Sequence, residues 1–521
     1  MNLIMWSSRH LVISPRRPVM WRFIALLVAG VTVLQAADVR VVHAAAGAAP
    51  AAAAPAGPAR PEAALVEAVK KGDAAAVRTL IDKHVDVNLP ELDGTTALHW
   101  AAYRGDLALL DRLIAAGAVV QARNRYGVTP LSLACEYGQA AVAARLLAAG
   151  ADANSAIADG ETALMTAARA GNPSVVASLL DHGANVNAKE ARMGQTALMW
   201  AANENNVDAA RLLVRRGADV GVRSKGGFTP LLFAVRAGHL GIVSMLLESG
   251  ADVNETLPDG TDALALAVTN AHFELAASLL DRGANPTADK QGWTPLHQLV
   301  WTRRPNAGLA DPPPTPTGSL SSLQLARKLL AAGANPNALM KKERKLGFDD
   351  RNLFNRIDAT PFLIAAQTAD VEMMRLLAAN RADPKLTNSD GTTALMAAAG
   401  VGIWVVGENP GTNEEALEAV KLALDLGGDV HAVNAFGYTA LHGAAHRGAP
   451  AIVQLLVDRG ARLDRALTKT GGGPLGWKEG WTPLAIADGV FYANTFKRSP
   501  ETADLLRRLM QERGLSVDVR K

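Results

Sequence analysis

The hexapeptide Gly94-Thr-Thr-Ala-Leu-His and its variants return along this chain at nearly fixed intervals. The frame recurs at Gly127, Gly160, Gly194, Gly227, Gly260, Gly292, Asp358, Gly391, Gly437 and Gly480, with successive spacings of 33, 33, 34, 33, 33, 32, 66, 33, 46 and 43. A period of about 33 residues dictates an array of like units, each one supersecondary element unable to bury its apolar face alone. A chain of 521 residues would ordinarily split into several domains, but a repeat array has no single core to outgrow.

Each unit reads as two helices. Thr precedes the first helix as a cap, and Pro, where it follows, has the helical φ preset and no amide hydrogen to lose. Gly two residues before the Thr supplies the turn. The first helix is short and Ala-rich, as in Ala97–Tyr103 and Ala163–Ala170. Gly105, Gly138, Gly171, Gly238 and Gly448 reverse the chain after it. The second helix carries apolar residues at helical spacing, as in Ile242, Val243, Leu246 and Leu247, and ends at Gly-Ala-Asp/Asn or a close variant.

The Thr-Pro-Leu-His and Gly-Ala-Asp-Val-Asn motifs resemble those of the ankyrin repeat, and the match covers nearly all of residues 62–516. The fold class is therefore all-α with short β-hairpin fingers, a solenoid of about 12 helix-pair units. The resemblance implies a non-catalytic protein–protein interaction scaffold whose concave face and finger tips touch a partner. Polar terminal helices, Ala63–Lys83 and Glu501–Arg513, are expected to cap the array. The insertion pattern is also similar to that of large exported bacterial ankyrin-repeat proteins.

Five insertions break the period: 303–321, 401–413 and 489–500 between the helices of a pair, and 339–357 and 465–479 in the fingers. The first three fall at the same end of the helix pair in alternate units, so they are placed to build one continuous surface. Their aromatic content, with that of the finger insertions, goes beyond bland loop drift: Trp404, Phe348, Phe354, Trp477, Phe491, Tyr492 and Phe496.

At positions that touch partners in ankyrin proteins stand Tyr103, Tyr126, Tyr137, Phe228, Trp293, Trp301, Phe436, Tyr438 and Trp481. Aromatic side chains supply rigid contact area and dominate binding hot spots. Trp100 and Trp200, at a position normally Leu, read as core. An alternative reading places a small-molecule or glycan pocket, even an enzymatic one, among the C-terminal insertions, with Trp404, Glu408, Trp477, Glu479, Tyr492 and Asn494 converging there.

No catalytic, cofactor or metal motif emerges. The single cysteine, Cys135, replaces an Ala of the first helix, so it reads as a small buried hydrophobe, and a lone Cys admits neither an intrachain disulfide nor a zinc site of two or more Cys. His99, His297 and His442 occupy the repeat's His position, where the ring is expected to bond neighbouring backbone. His446 follows His442 at helical spacing without an acidic ligand set beside it. Gly471-Gly472-Gly473 lacks the Lys-Ser/Thr of a phosphate loop. The basic run Lys341–Lys345 is diluted by Glu343, Asp349 and Asp350.

The charge balance, 53 Lys+Arg against 50 Asp+Glu, does not call for nucleic acid. The excess sits in residues 1–44, with Arg9, Arg16, Arg17, Arg22 and Arg40 against Asp38. Phe23–Leu34 is uncharged and too short to cross a hydrocarbon core of ~30 Å, yet it suits a signal-peptide core, and Val42-His43-Ala44 fits the cleavage rule. Residues 1–44 are thus expected to be a cleaved signal peptide and 45–61, rich in Ala and Pro, a linker. The mature protein is then periplasmic or secreted and keeps no stable membrane span.

Overall fold

Thr side chains start most first helices, as the repeat predicts. Thr129 Oγ1 accepts the Ser132 amide at 3.1 Å, and Thr360 Oγ1 accepts that of Leu363 at 3.1 Å. In this computed structural model residues 61–305, 314–343, 354–403, 411–468, 479–492 and 495–517 are described. The expected leader and nearly all of the linker lie outside them. The chain divides at Arg60, and residues 61–521 form one unit.

That unit begins with helices α1 (Pro61–Lys71), α2 (Ala74–Asp82), α3 (Ala97–Arg104), α4 (Leu107–Ala115), α5 (Pro130–Glu136) and α6 (Ala140–Ala148). It continues with α7 (Ala163–Ala170), α8 (Pro173–Asp181), α9 (Ala197–Asn203), α10 (Val207–Arg215), α11 (Pro230–Ala237) and α12 (Leu240–Glu248). Next come α13 (Ala263–Thr269), α14 (Phe273–Asp281), α15 (Pro295–Arg303), α16 (Ser322–Ala331), α17 (Pro361–Gln367) and α18 (Val371–Ala379). The last are α19 (Ala394–Ala399), α20 (Asn413–Asp425), α21 (Ala440–Arg447), α22 (Pro450–Asp458), α23 (Pro483–Asp488), a hairpin of β1 (Val490–Tyr492) and β2 (Thr495–Lys497), and α24 (Pro500–Glu512). Odd-numbered first helices stack into one layer and even-numbered second helices into another, and each pair packs mainly on its neighbours.

The core is written in register. Leu109, Leu110 and Leu113 of α4 recur as Val175, Val176 and Leu179 of α8, Ile242, Val243 and Leu246 of α12 and Ile452, Val453 and Leu456 of α22, all buried. Each such side chain contributes roughly 1.5–3 kcal/mol. The caps follow the expected pattern: Glu67, Lys71, Asp73 and Arg78 of the first pair are exposed, as are Asp504, Arg508, Glu512 and Arg513 at the other end. Lys70 is half-buried because it pairs with Glu91 and lies 4.9 Å from the Trp100 ring centre.

Asn side chains rivet one repeat to the next. Asn154 Nδ2 donates to Gly183 O at 3.0 Å while its Oδ1 accepts the Asn185 amide at 2.7 Å. Asn187, Asn254 and Asn337 repeat the same pair of bonds. At the opposite end of the helices, Asn206 Nδ2 bonds Ala168 O and Arg169 O, both at 2.8 Å.

The fingers are hairpin turns rather than ladders. Asn124 N donates to Val128 O at 3.0 Å within one finger, and Arg125 N donates to Asp93 O of the preceding finger at 2.8 Å. Among the described residues the fingers form only isolated bridges, Ala156 with Thr162 and Thr256 with Asp262, and the one two-stranded sheet is the hairpin within insertion 489–500. Fingers also abut closely. A Cβ on Gly260, whose φ is +92°, would lie 2.6 Å from the Lys290 carbonyl carbon. Where the inter-helix Gly is missing, Asn205, Ala271 and Ala369 take the same left-handed conformation, with φ of 59°, 57° and 51°.

Candidate partner-binding surface

The first-helix and finger positions gather the aromatic residues into separate clusters. Tyr103, on the last turn of α3, meets Trp100 edge-on at 5.6 Å between ring centres and Tyr137 of the next repeat at 4.8 Å. Trp100 and Trp200, expected in the core, are half-buried at its edge. A finger acceptor holds each indole N–H there: Glu91 Oε2 takes that of Trp100 and Gln195 Oε1 that of Trp200, both at 2.8 Å. The Arg169 guanidinium lies 4.9 Å from the Trp200 ring centre and 3.3 Å from Glu161, tying α7 to α9. Tyr137 also borders a shallow groove of about 480 Å³ between the third and fourth inter-helix turns, with Glu136 and Asn172 on its walls.

Further along, Phe228 packs on Phe233 at 5.2 Å, and Arg236 stacks 5.0 Å from both rings. Burial pulls the Arg236 pKa below its usual value. Trp293 meets Trp301 edge-on at 5.9 Å and donates its Nε1 hydrogen to Gln298 Oε1 at 3.2 Å. Trp301 itself is only 9% exposed, with the Arg356 guanidinium 5.3 Å from its ring centre. It supports Trp293 rather than presenting a face. Phe436 and Tyr438 sit 6.3 Å apart, and burial pushes the Tyr438 phenol well above its ordinary pKa. Tyr126 stands exposed at a finger tip, its hydroxyl accepting from Arg125 at 2.8 Å. Trp481 is half-buried, its carbonyl receiving the Leu467 amide at 2.9 Å.

The alternative pocket of sequence analysis is only partly described. Trp404, Glu408, Trp477 and Asn494 lie outside the described residues. Tyr492 belongs to β1, and Glu479 is exposed.

The repeat's histidines have structural work. His297 Nε2 donates to Ala359 O of the next repeat at 3.1 Å, and its Nδ1 accepts from the Thr294 amide at 3.2 Å. Burial brings its pKa down to about 4. Cys135 is buried, and burial drives its thiol far above the range in which a thiolate forms. Among the described residues no group of three or more His, Cys, Asp or Glu is placed to hold a metal ion. Nor is any described helix long and apolar enough to cross a membrane.

Stacked helix pairs, Thr caps on most first helices, joined by His99, His297 and His442 at three of them, and Asn rivets between turns are the geometry of one family. Its model, ankyrin repeats (3 copies), matches residues 65–157, 143–224, 190–256, 231–308 and 412–489, together more than half of the chain. The chain belongs to the ankyrin-repeat family. The B-cell lymphoma 3 protein homolog of Mus musculus is 33% identical over 132 residues, 25% of this chain and 27% of that protein. The chain thus spans about a quarter of the length of this relative. Ankyrin repeats are protein–protein interaction scaffolds, and the aromatic clusters here lie on such a scaffold.

The sequence reading missed the partners of these rings. Arg169, Arg236 and Phe233 complete the clusters, and the visible signal was a basic residue repeated just before the inter-helix turn. Arg356, from a finger insertion, had no such signal.

Proposed function

We propose that this chain is a non-catalytic scaffold, exported from a bacterial cytoplasm to the periplasm or medium, that grips a partner protein through its concave face and finger tips. The observation that carries the reading is the set of ordered aromatic clusters on successive repeats, above all Trp100, Tyr103 and Tyr137. Hydrogen bonds and cation stacking fix several of these rings before any partner arrives. A surface ordered in advance loses little entropy on association, and rigid rings concentrate the binding energy.

Trp100, Tyr103, Tyr126, Tyr137, Trp293 and Phe436 are the anchors in this reading. Trp301 and Tyr438 act from beneath. Export rests on the charged and apolar pattern of residues 1–44.

Cell fractionation of a C-terminally tagged full-length chain tests the export half. The processed chain is expected in the periplasm or medium, shortened by about the first 44 residues. Tagged chain found only in the cytoplasm, with its N-terminus intact, would contradict it.

A further inference from the structure

Two of the inter-helix insertions meet around the end of α21. There Arg447 is 4% exposed, and its Nη1 donates to Gly411 O at 3.2 Å. Among the described residues its Nε and Nη2 hydrogens have no acceptor, and neither has the buried Nζ of Lys497 on β2. Asn413, at the start of α20, reaches Gly448 O at 3.4 Å, and its Oδ1 has no partner among the described residues. Ser499 closes on the same turn, since a Cβ on Gly448 would come within 2.3 Å of its hydroxyl. The acid that attracts Arg447 is Glu415, and that carboxylate is already bound to Arg304 Nη2 at 2.6 Å.

Buried donors are almost always satisfied, and unpaired buried cations are costlier still. Nε and Nη2 form one edge of the guanidinium, whose parallel N–H groups match two oxygens of a single oxyanion. Lys497 adds a point charge suited to a third oxygen. A carboxylate offers two oxygens and one negative charge, whereas a phosphate offers more of both. Burial, and then the charge of Arg447, bring the Lys497 pKa down to about 8, and burial brings that of Arg447 to about 10. A bound dianion would restore both.

We propose that Arg447 and Lys497 form a binding site for a small, doubly charged oxyanion of the phosphate class, at the junction of the second and third inter-helix insertions. The site is independent of the aromatic clusters and of any partner protein bound there.

Titration calorimetry of the full chain with inorganic phosphate, against chloride at equal ionic strength, tests the proposal. One saturable site is expected, together with a melting temperature that rises with phosphate concentration. Lys497→Met and Arg447→Lys should each weaken phosphate binding by at least about tenfold, the second because it keeps the charge and loses the fork. Lys497→Met, which removes an unpaired charge, should melt no lower than the parent in phosphate-free buffer and so remains informative if the Arg447 variant misfolds. Absence of saturable binding to the parent chain, unchanged affinity in Lys497→Met, or tighter binding of succinate than of phosphate would each overturn it.

Discussion

His99 Nε2 lies 3.0 Å from the carbonyl oxygen of Val128, a residue of the following finger. A carbonyl can only accept, so Nε2 carries the hydrogen and Nδ1 is left to accept from the Thr96 amide at 3.1 Å. One neutral ring therefore caps its own helix and ties it to the next repeat. A second proton would have to sit on Nδ1 and break the cap.

Burial accordingly lowers the pKa of His99, and takes His297 and His442 to about 4 from the ordinary 6.5. Between those values the unfolded chain binds more protons than the folded one. The stability these rings contribute is whole above pH 6.5 and is lost as pH falls toward 4, on the order of a few kcal/mol for each fully buried ring. Urea unfolding across this window should show the loss, and His297→Gln should flatten the pH slope even though it lowers stability at pH 7.

Glu255 works in the opposite direction. It is buried and takes a hydrogen bond from the Thr229 hydroxyl. Burial nevertheless outweighs that bond and the nearby Arg223, raising the pKa from 4.5 to about 7. Its contribution is complete below pH 4.5 and fades as pH rises through 7. Glu255→Gln should therefore gain stability relative to the parent between pH 6 and 8, a trend that thermal melts at several pH values would reveal or refute.

Asn206→Ala removes both bonds from its side chain to the carbonyls of Ala168 and Arg169. A loss of about 1–3 kcal/mol is expected, readable as a lower urea midpoint without loss of helical signal.

Phe362 is buried where most repeats have Leu. Phe362→Ala should cost roughly 3–5 kcal/mol. Because each repeat is supported mainly by its neighbours, the damage should uncouple the array, giving two unfolding transitions by calorimetry in place of one.

The repeat made most of the architecture legible: the helix pairs, the Thr caps, the bonding role of His99 and His297, and the buried Cys135 all follow from periodicity. Long-range pairings leave no such trace. Trp301 stands at an exposed repeat position, yet Arg356, 55 residues on, covers it. Trp100 and Trp200 match core positions, but Glu91 and Gln195 capture their indole hydrogens at the edge. Arg447 shares the basic position before the inter-helix Gly, but Lys497 belongs to no motif and comes beside it only because an insertion folds back on α21. The fingers fell short of strands because a turn bond and one or two rungs, as in Ile157 N to Glu161 O and Ala163 N to Ser155 O, do not make a ladder.

The central claim is that the aromatic clusters of the first-helix layer engage a partner protein. Its most direct test places a photo-crosslinking amino acid at Tyr103, Trp293 or Phe436, with Gln454 on the second-helix side as the control, in cells expressing the full chain. One protein is expected to crosslink at all three aromatic positions and not at Gln454. Crosslinking only at Gln454, or at none of the three aromatic positions, would contradict the account.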